Sequence, residues 1–189
     1  MAPTFVSIFG DIAKAFGGEK GQEYIEGKGW YEWPLHHIPL FMAFSFIAMI
    51  IIFWMGGFPI AAAMVFATVL ILTTFLLGAI AVRVMGETGI EPVSGTSFIV
   101  LLMLLGLFLN YGDFFGLSKE EAILIALVGT TVFGSAISMS GTVVADYKNS
   151  LYIGNRPYHI SKGNIMGVVP GAILGAGMAI FLSDLLADG

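Results

Sequence analysis

The sequence contains no cysteine, which excludes disulfides, thiolate metal sites and cysteine nucleophiles. Charge is scarce too: Asp, Glu, Lys and Arg make up 11% of the 189 residues, and none occurs over the 45 residues 38–82. With a net charge of −5 there is no basic footprint for nucleic acid. Residues 1–16 carry Asp11 and lack a basic start followed by an apolar run, so they do not read as a cleaved signal peptide. No GxSxG, HExxH, Walker or GxGxxG pattern occurs, and no enzyme activity is predicted. His36 and His37 are adjacent and so point to different helix faces, with no third ligand at ligand spacing. They read as an interfacial polar pair, and neither a metal nor a cofactor is predicted.

Apolar side chains fill the space that charge leaves. The chain is 57% hydrophobic with a mean hydropathy of +0.91, more than a water-soluble core of this size requires, and a bilayer as solvent explains the excess. At about 20 residues per crossing, the run 38–82 holds two helices, divided at Gly56, Gly57 and Pro59. Runs 92–112, 122–145 and 163–183 are also uncharged and supply three more.

Phe5, Ile8, Phe9, Ile12 and Phe16 recur at helical spacing with polar residues between them, the pattern of a helix lying on the membrane surface or docked on a neighbouring protein. The predicted fold class is therefore an all-α integral membrane protein of about five transmembrane helices plus an N-terminal amphipathic interfacial helix. Residues 1–32 form the cytoplasmic amphipathic helix and a polar connector. Residues 33–189 form the membrane domain, with helices near 36–56, 58–83, 92–112, 119–145 and 163–184. Trp30, Tyr31 and Trp33 cluster ahead of the first crossing, where aromatic rings favour the headgroup level.

Orientation follows from basic residues. Five crossings put Lys14, Lys20, Lys28, Arg83, Lys148, Arg156 and Lys162 on one side and only Lys119 on the other. The positive-inside rule then makes the N-terminus cytoplasmic and the C-terminus external, in a multi-pass protein of the cell membrane.

Three segments stand out. The last crossing places Gly163, Gly167, Gly171 and Gly175 four apart on one helix face, a ridge that lets another helix approach closely. Pro170 in its middle removes a backbone bond. The fourth crossing concentrates Gly129, Thr130, Thr131, Gly134, Ser135, Ser138, Ser140, Gly141 and Thr142, a polar face that must meet protein or water and serves either packing or a permeation path. Between the second and third crossings, RVMGETGIEPVSGT sets Glu87, Glu91, Ser94 and Thr96 beside the membrane boundary. Broken backbone at that depth is tolerated where it lines a cavity or is buried in protein. Arg83 and Glu87 are four apart and pair on one face if the helix continues through them.

Two of these stretches, GETGIEPVSGTS after a helix ending in VRV, and ADYKNSLYIGNRPYHISKGNIMGVVPGAILG two crossings later, resemble motifs of the oligopeptide transporter (OPT) family in order and spacing. Gly86, Gly89, Pro92, Ser94 and Gly95 fit the first motif; Asp146, Lys148, Gly154 and Pro157, with Arg156 in the same loop, fit the second. The chain departs from the motifs at Asn149 and Ser150, which stand where Thr–Gly is commoner, and at Ile90 and Glu91, which stand where Asn residues often precede the proline. The resemblance covers about 33–177, only a portion of a family member. It implies proton-coupled import of short peptides or metal chelates, and a chain this short implies a partial-length member or split subunit, completed by a companion membrane chain or copies of itself within the lipid bilayer. Candidates for the substrate or ion path are Glu87, Glu91, Ser94, Thr96, Ser135, Ser138 and Asp146. The alternative is a non-transporting structural subunit of a larger membrane complex.

Overall fold

The computed structural model describes residues 24–25, 29–30 and 37–187. The amphipathic stretch from Phe5 to Phe16, together with Trp33 and His36, lies outside the described residues. In chain order come β1 (Tyr24–Ile25), β2 (Gly29–Trp30), α1 (Ile38–Met55), α2 (Ile60–Thr88), α3 (Val93–Phe115), α4 (Lys119–Tyr152) and α5 (Pro157–Ala187). The strands make a two-rung antiparallel ladder, Tyr24 opposite Trp30 and Ile25 opposite Gly29. The rest of the regular structure among the described residues is helical, and five helices are long and apolar enough to cross a membrane.

Glycine and proline punctuate the helices. Gly89 takes φ +72° after Thr88 and donates its N–H to the Met85 carbonyl at 2.8 Å, closing α2. Only a residue without Cβ adopts that left-handed conformation at no steric cost. Pro92 then precedes α3, whose own end is closed by Gly116 at φ +71°. Ser118 and Glu121 start α4 with a reciprocal capping box: the Glu121 N–H donates to Ser118 Oγ at 3.2 Å and the Ser118 N–H to Glu121 Oε2 at 2.8 Å.

The helices overrun the boundaries set by hydropathy. α2 continues past 83 to Thr88, so the expected loop 83–91 shrinks to a turn at 89–92. The expected loop 146–162 shrinks further, because α4 runs to Tyr152 and α5 begins at Pro157. At 1.5 Å per residue, 34 residues make α4 about 51 Å long, well beyond a hydrocarbon core of about 30 Å. Hydropathy marks only the greasy part of such a helix. Its backbone bonds continue into polar sequence until a breaker arrives, here Gly154 at φ +74° and Pro157 at the first position of α5. Of the second-motif residues, Lys148 is therefore helical and exposed, whereas Gly154 and Arg156 occupy the turn.

The described residues divide into two compact units, 37–144, and 145–187 with the β1–β2 ladder. In the first, Phe53, Phe66, Leu70, Val100, Leu104, Phe108, Ile125, Phe133 and Ile137 build a core contributed by α1 to α4. The Phe53 and Phe66 rings lie 4.1 Å apart between centroids. Gly129 makes room for this packing: a Cβ there would stand 2.6 Å from both Leu104 Cδ1 and Phe66 Cε2. In the second unit, Tyr147 of α4 hydrogen-bonds Ser161 of α5, and Ser161 Oγ donates to the Pro157 carbonyl at 3.1 Å. Beyond this hairpin every residue from 165 to 187 is exposed.

Candidate functional site

Most hydroxyls of α4 are satisfied on their own helix. Thr130, Thr131, Ser135, Ser140 and Thr142 each donate to the carbonyl four residues back, at 2.8 to 3.1 Å. Such back-bonding lets a hydroxyl face lipid or apolar protein without an orphaned donor. Ser138 differs, because its Oγ donates across the fold to Glu91 Oε2 at 3.4 Å, a long hydrogen bond between residues 47 apart in sequence.

Glu91 reaches α4 because the 89–92 turn is tight. Gly89 ends α2 and Pro92 opens α3, leaving Glu91 partly buried in a stretch too short to swing outward. On α4 the seat is Gly134, Ser138 and Gly141, spaced four and three and so sharing one face. Gly141 is buried, and a Cβ on it would overlap both Glu91 Oε1 and Met85 Sδ, the latter at 2.7 Å. Gly134 lies under α3, where a Cβ would stand 3.0 Å from Ser97 Oγ. That oxygen is buried with no hydrogen-bond partner among the described residues. Together these side chains form a polar seam through an otherwise apolar bundle.

The other candidates fall elsewhere. Glu87 is exposed and paired with Arg83, Nε to Oε1 at 2.9 Å, the pairing foreseen from their spacing. Thr96 is spent on the Pro92 carbonyl at 2.8 Å. Ser94 is exposed in the first turn of α3, Ser135 is exposed on α4, and Asp146 is partly buried in the second unit. Gly163, Gly167, Gly171 and Gly175 have open space where a Cβ would sit. Sequence reasoning included Gly141 only within a general polar face and passed over Met85 and Ser97. The offsets 134, 138 and 141 were the available signal.

The second unit adds a smaller polar group. Beside the Tyr147–Ser161 bond, Ser150 is 1% exposed, and its Oγ and Asn164 Nδ2 are buried without partners among the described residues.

A crevice of about 570 Å³ also opens between α1, α2 and α4, lined by Phe41, Phe44, Met49, Phe75 and Val132 among others. Its polar side chains are the hydroxyls of Ser45 and Thr74. It lacks the ionisable groups that mark intramembrane ion pathways, in contrast to the seam at Glu91.

Neither the curated proteins nor the solved structures include a match to this chain. The family model described as OPT oligopeptide transporter protein does match, over residues 27–189. That span takes in the whole helical bundle and both polar segments. A transporter family, five membrane-length helices and a carboxylate turned onto an interior helix agree with one another, and the chain is a multi-pass membrane protein that belongs to the OPT oligopeptide transporter family.

Proposed function

We propose that this chain is one part of a secondary transporter that moves short peptides or metal chelates across the cell membrane, coupled to protons. The carrying observation is the partly buried Glu91 carboxylate of the 89–92 turn, lying at Ser138 and Gly141 against a stretch of α4 that has no ionisable group of its own. Ionisable groups held within membrane bundles mark substrate and ion routes by default. Transport paths lie between bundles or repeats, so a companion membrane chain, or further copies of this one, supplies the opposite wall. The exposed glycine ridge of α5 is the surface such a neighbour would meet. The basic-residue count supports a cytoplasmic N-terminus and an external C-terminus.

The test is uptake of labelled tetra-alanine and of a ferric nicotianamine chelate into proteoliposomes holding the chain with everything that co-purifies with it. Inward accumulation of either probe under an inward proton gradient is the expected result. No movement of either, with or without a gradient, overturns the reading. It would favour the second one, a non-transporting subunit whose exposed α5 ridge scaffolds a larger complex.

A further inference from the structure

Of the carboxylates near the ends of the membrane helices, the three singled out from the sequence are separated by their partners. Glu87 is held by Arg83, whose guanidinium has only donors and keeps its charge. Glu87 thus has an ionic partner on its own exposed helix face. Asp146 lies in the other compact unit. Glu91 faces a hydroxyl, which donates to a carboxylate or accepts from a carboxylic acid by rotating its O–H. Both protonation states of Glu91 therefore keep a partner, and the 3.4 Å separation leaves the carboxyl unlocked.

We propose that Glu91 is the proton-carrying residue of the transport cycle, with Ser138 as its two-state hydrogen-bond partner and Gly141 as its seat. A proton from the aqueous phase adds to a carboxylate oxygen, giving a neutral acid, and the same proton leaves to the opposite side when the carboxylate re-forms. No covalent bond to substrate is made. The surroundings suit this role. From α2 the charged groups near the turn are Arg83 and Glu87, which neutralise each other. α4 carries no titratable side chain from Ala122 to Val144. On α3 the first is Tyr111, about 27 Å along the helix from Val93. Gain and loss of the proton changes the charge carried by the 89–92 turn where it lies on α4, and so where this turn is stable. The inference rests on the transporter reading.

Its test has two independent arms. Infrared difference spectra of the lipid-reconstituted complex, recorded as pH is lowered, should show a carboxylic acid band that Glu91→Gln removes, Glu87→Gln leaves and Ser138→Ala moves in frequency. In uptake, a gradient of one pH unit sustains up to about tenfold accumulation per proton. Glu91→Gln should abolish that accumulation while retaining gradient-independent exchange of the same probe, which also shows that the variant is folded. Ser138→Ala should change the pH dependence of uptake, because the carboxyl loses its hydrogen-bond partner. An unchanged band and unchanged accumulation in Glu91→Gln overturn the proposal and leave the transporter reading standing. A titrating Glu91 in a complex that moves neither probe removes the transporter reading, and the coupling role with it.

Discussion

Ser138 Oγ on α4 donates to Glu91 Oε2 in the turn between α2 and α3, and this contact ties the first compact unit together where its helices otherwise meet through apolar side chains. Its neighbour Gly141 is buried against the same carboxylate. Proximity here depends on the absence of a side chain. A β-carbon at 141 would displace Glu91 or Met85 from the interface.

The Arg83–Glu87 pair contrasts with this contact. Its side chains are 55% and 65% exposed, and a pair four residues apart on an exposed helix face contributes about 0.3–0.5 kcal/mol. Arg83→Gln should leave the thermal unfolding midpoint in detergent nearly unchanged. A large drop would mean that Arg83 holds more than Glu87.

Gly129 should be intolerant of substitution. The methyl of Gly129→Ala would overlap Phe66 and Leu104 in the core, and overpacking of this kind costs about 1–3 kcal/mol. The measured consequence is a lower midpoint in thermal or denaturant unfolding. Gly106→Ala on α3, where a Cβ meets nothing within 4 Å, serves as the control and should not destabilise the fold.

Tyr147→Phe removes one partner of the Tyr147–Ser161 bond across the α4–α5 hairpin. The expected loss is about 1 kcal/mol, localised to the second unit. Hydrogen exchange should quicken at the Asn155 amide, which donates to the Ser150 carbonyl at 2.9 Å beside the turn, while amides of the α2–α3 core keep their protection.

The α5 ridge should tolerate bulk within the isolated chain and fail in association. Among the described residues, Gly167→Leu and Gly171→Leu meet no atom near the new Cβ, so folding should be retained. If a membrane partner packs on the ridge, both variants should lose it in co-purification and native gel migration. Unchanged association would place the partner elsewhere.

The number of helices and the sites of their turns were set by sequence, because both depend on local properties. Uncharged runs lower the free energy of a helix in lipid, and Gly89, Pro92, Gly116, Gly154 and Pro157 end or start helices through their own backbone restrictions. The extent of the helices was less legible, since 146–152 and 157–162 are helical yet polar and hydropathy does not follow a helix into water.

Which carboxylate meets an interior helix was decided by tertiary structure alone. Glu87 and Glu91 are four apart and look alike in sequence; α2 turns the first toward Arg83, and the 89–92 turn lays the second on α4. Likewise, Ser135 and Ser138 are both serines on one helix. Ser135 answers to a carbonyl one turn back, and Ser138 to a group 47 residues away. The difference arises because hydrogen bonding is short-ranged, so a side chain's partner is known only once the packed helices bring distant residues within reach.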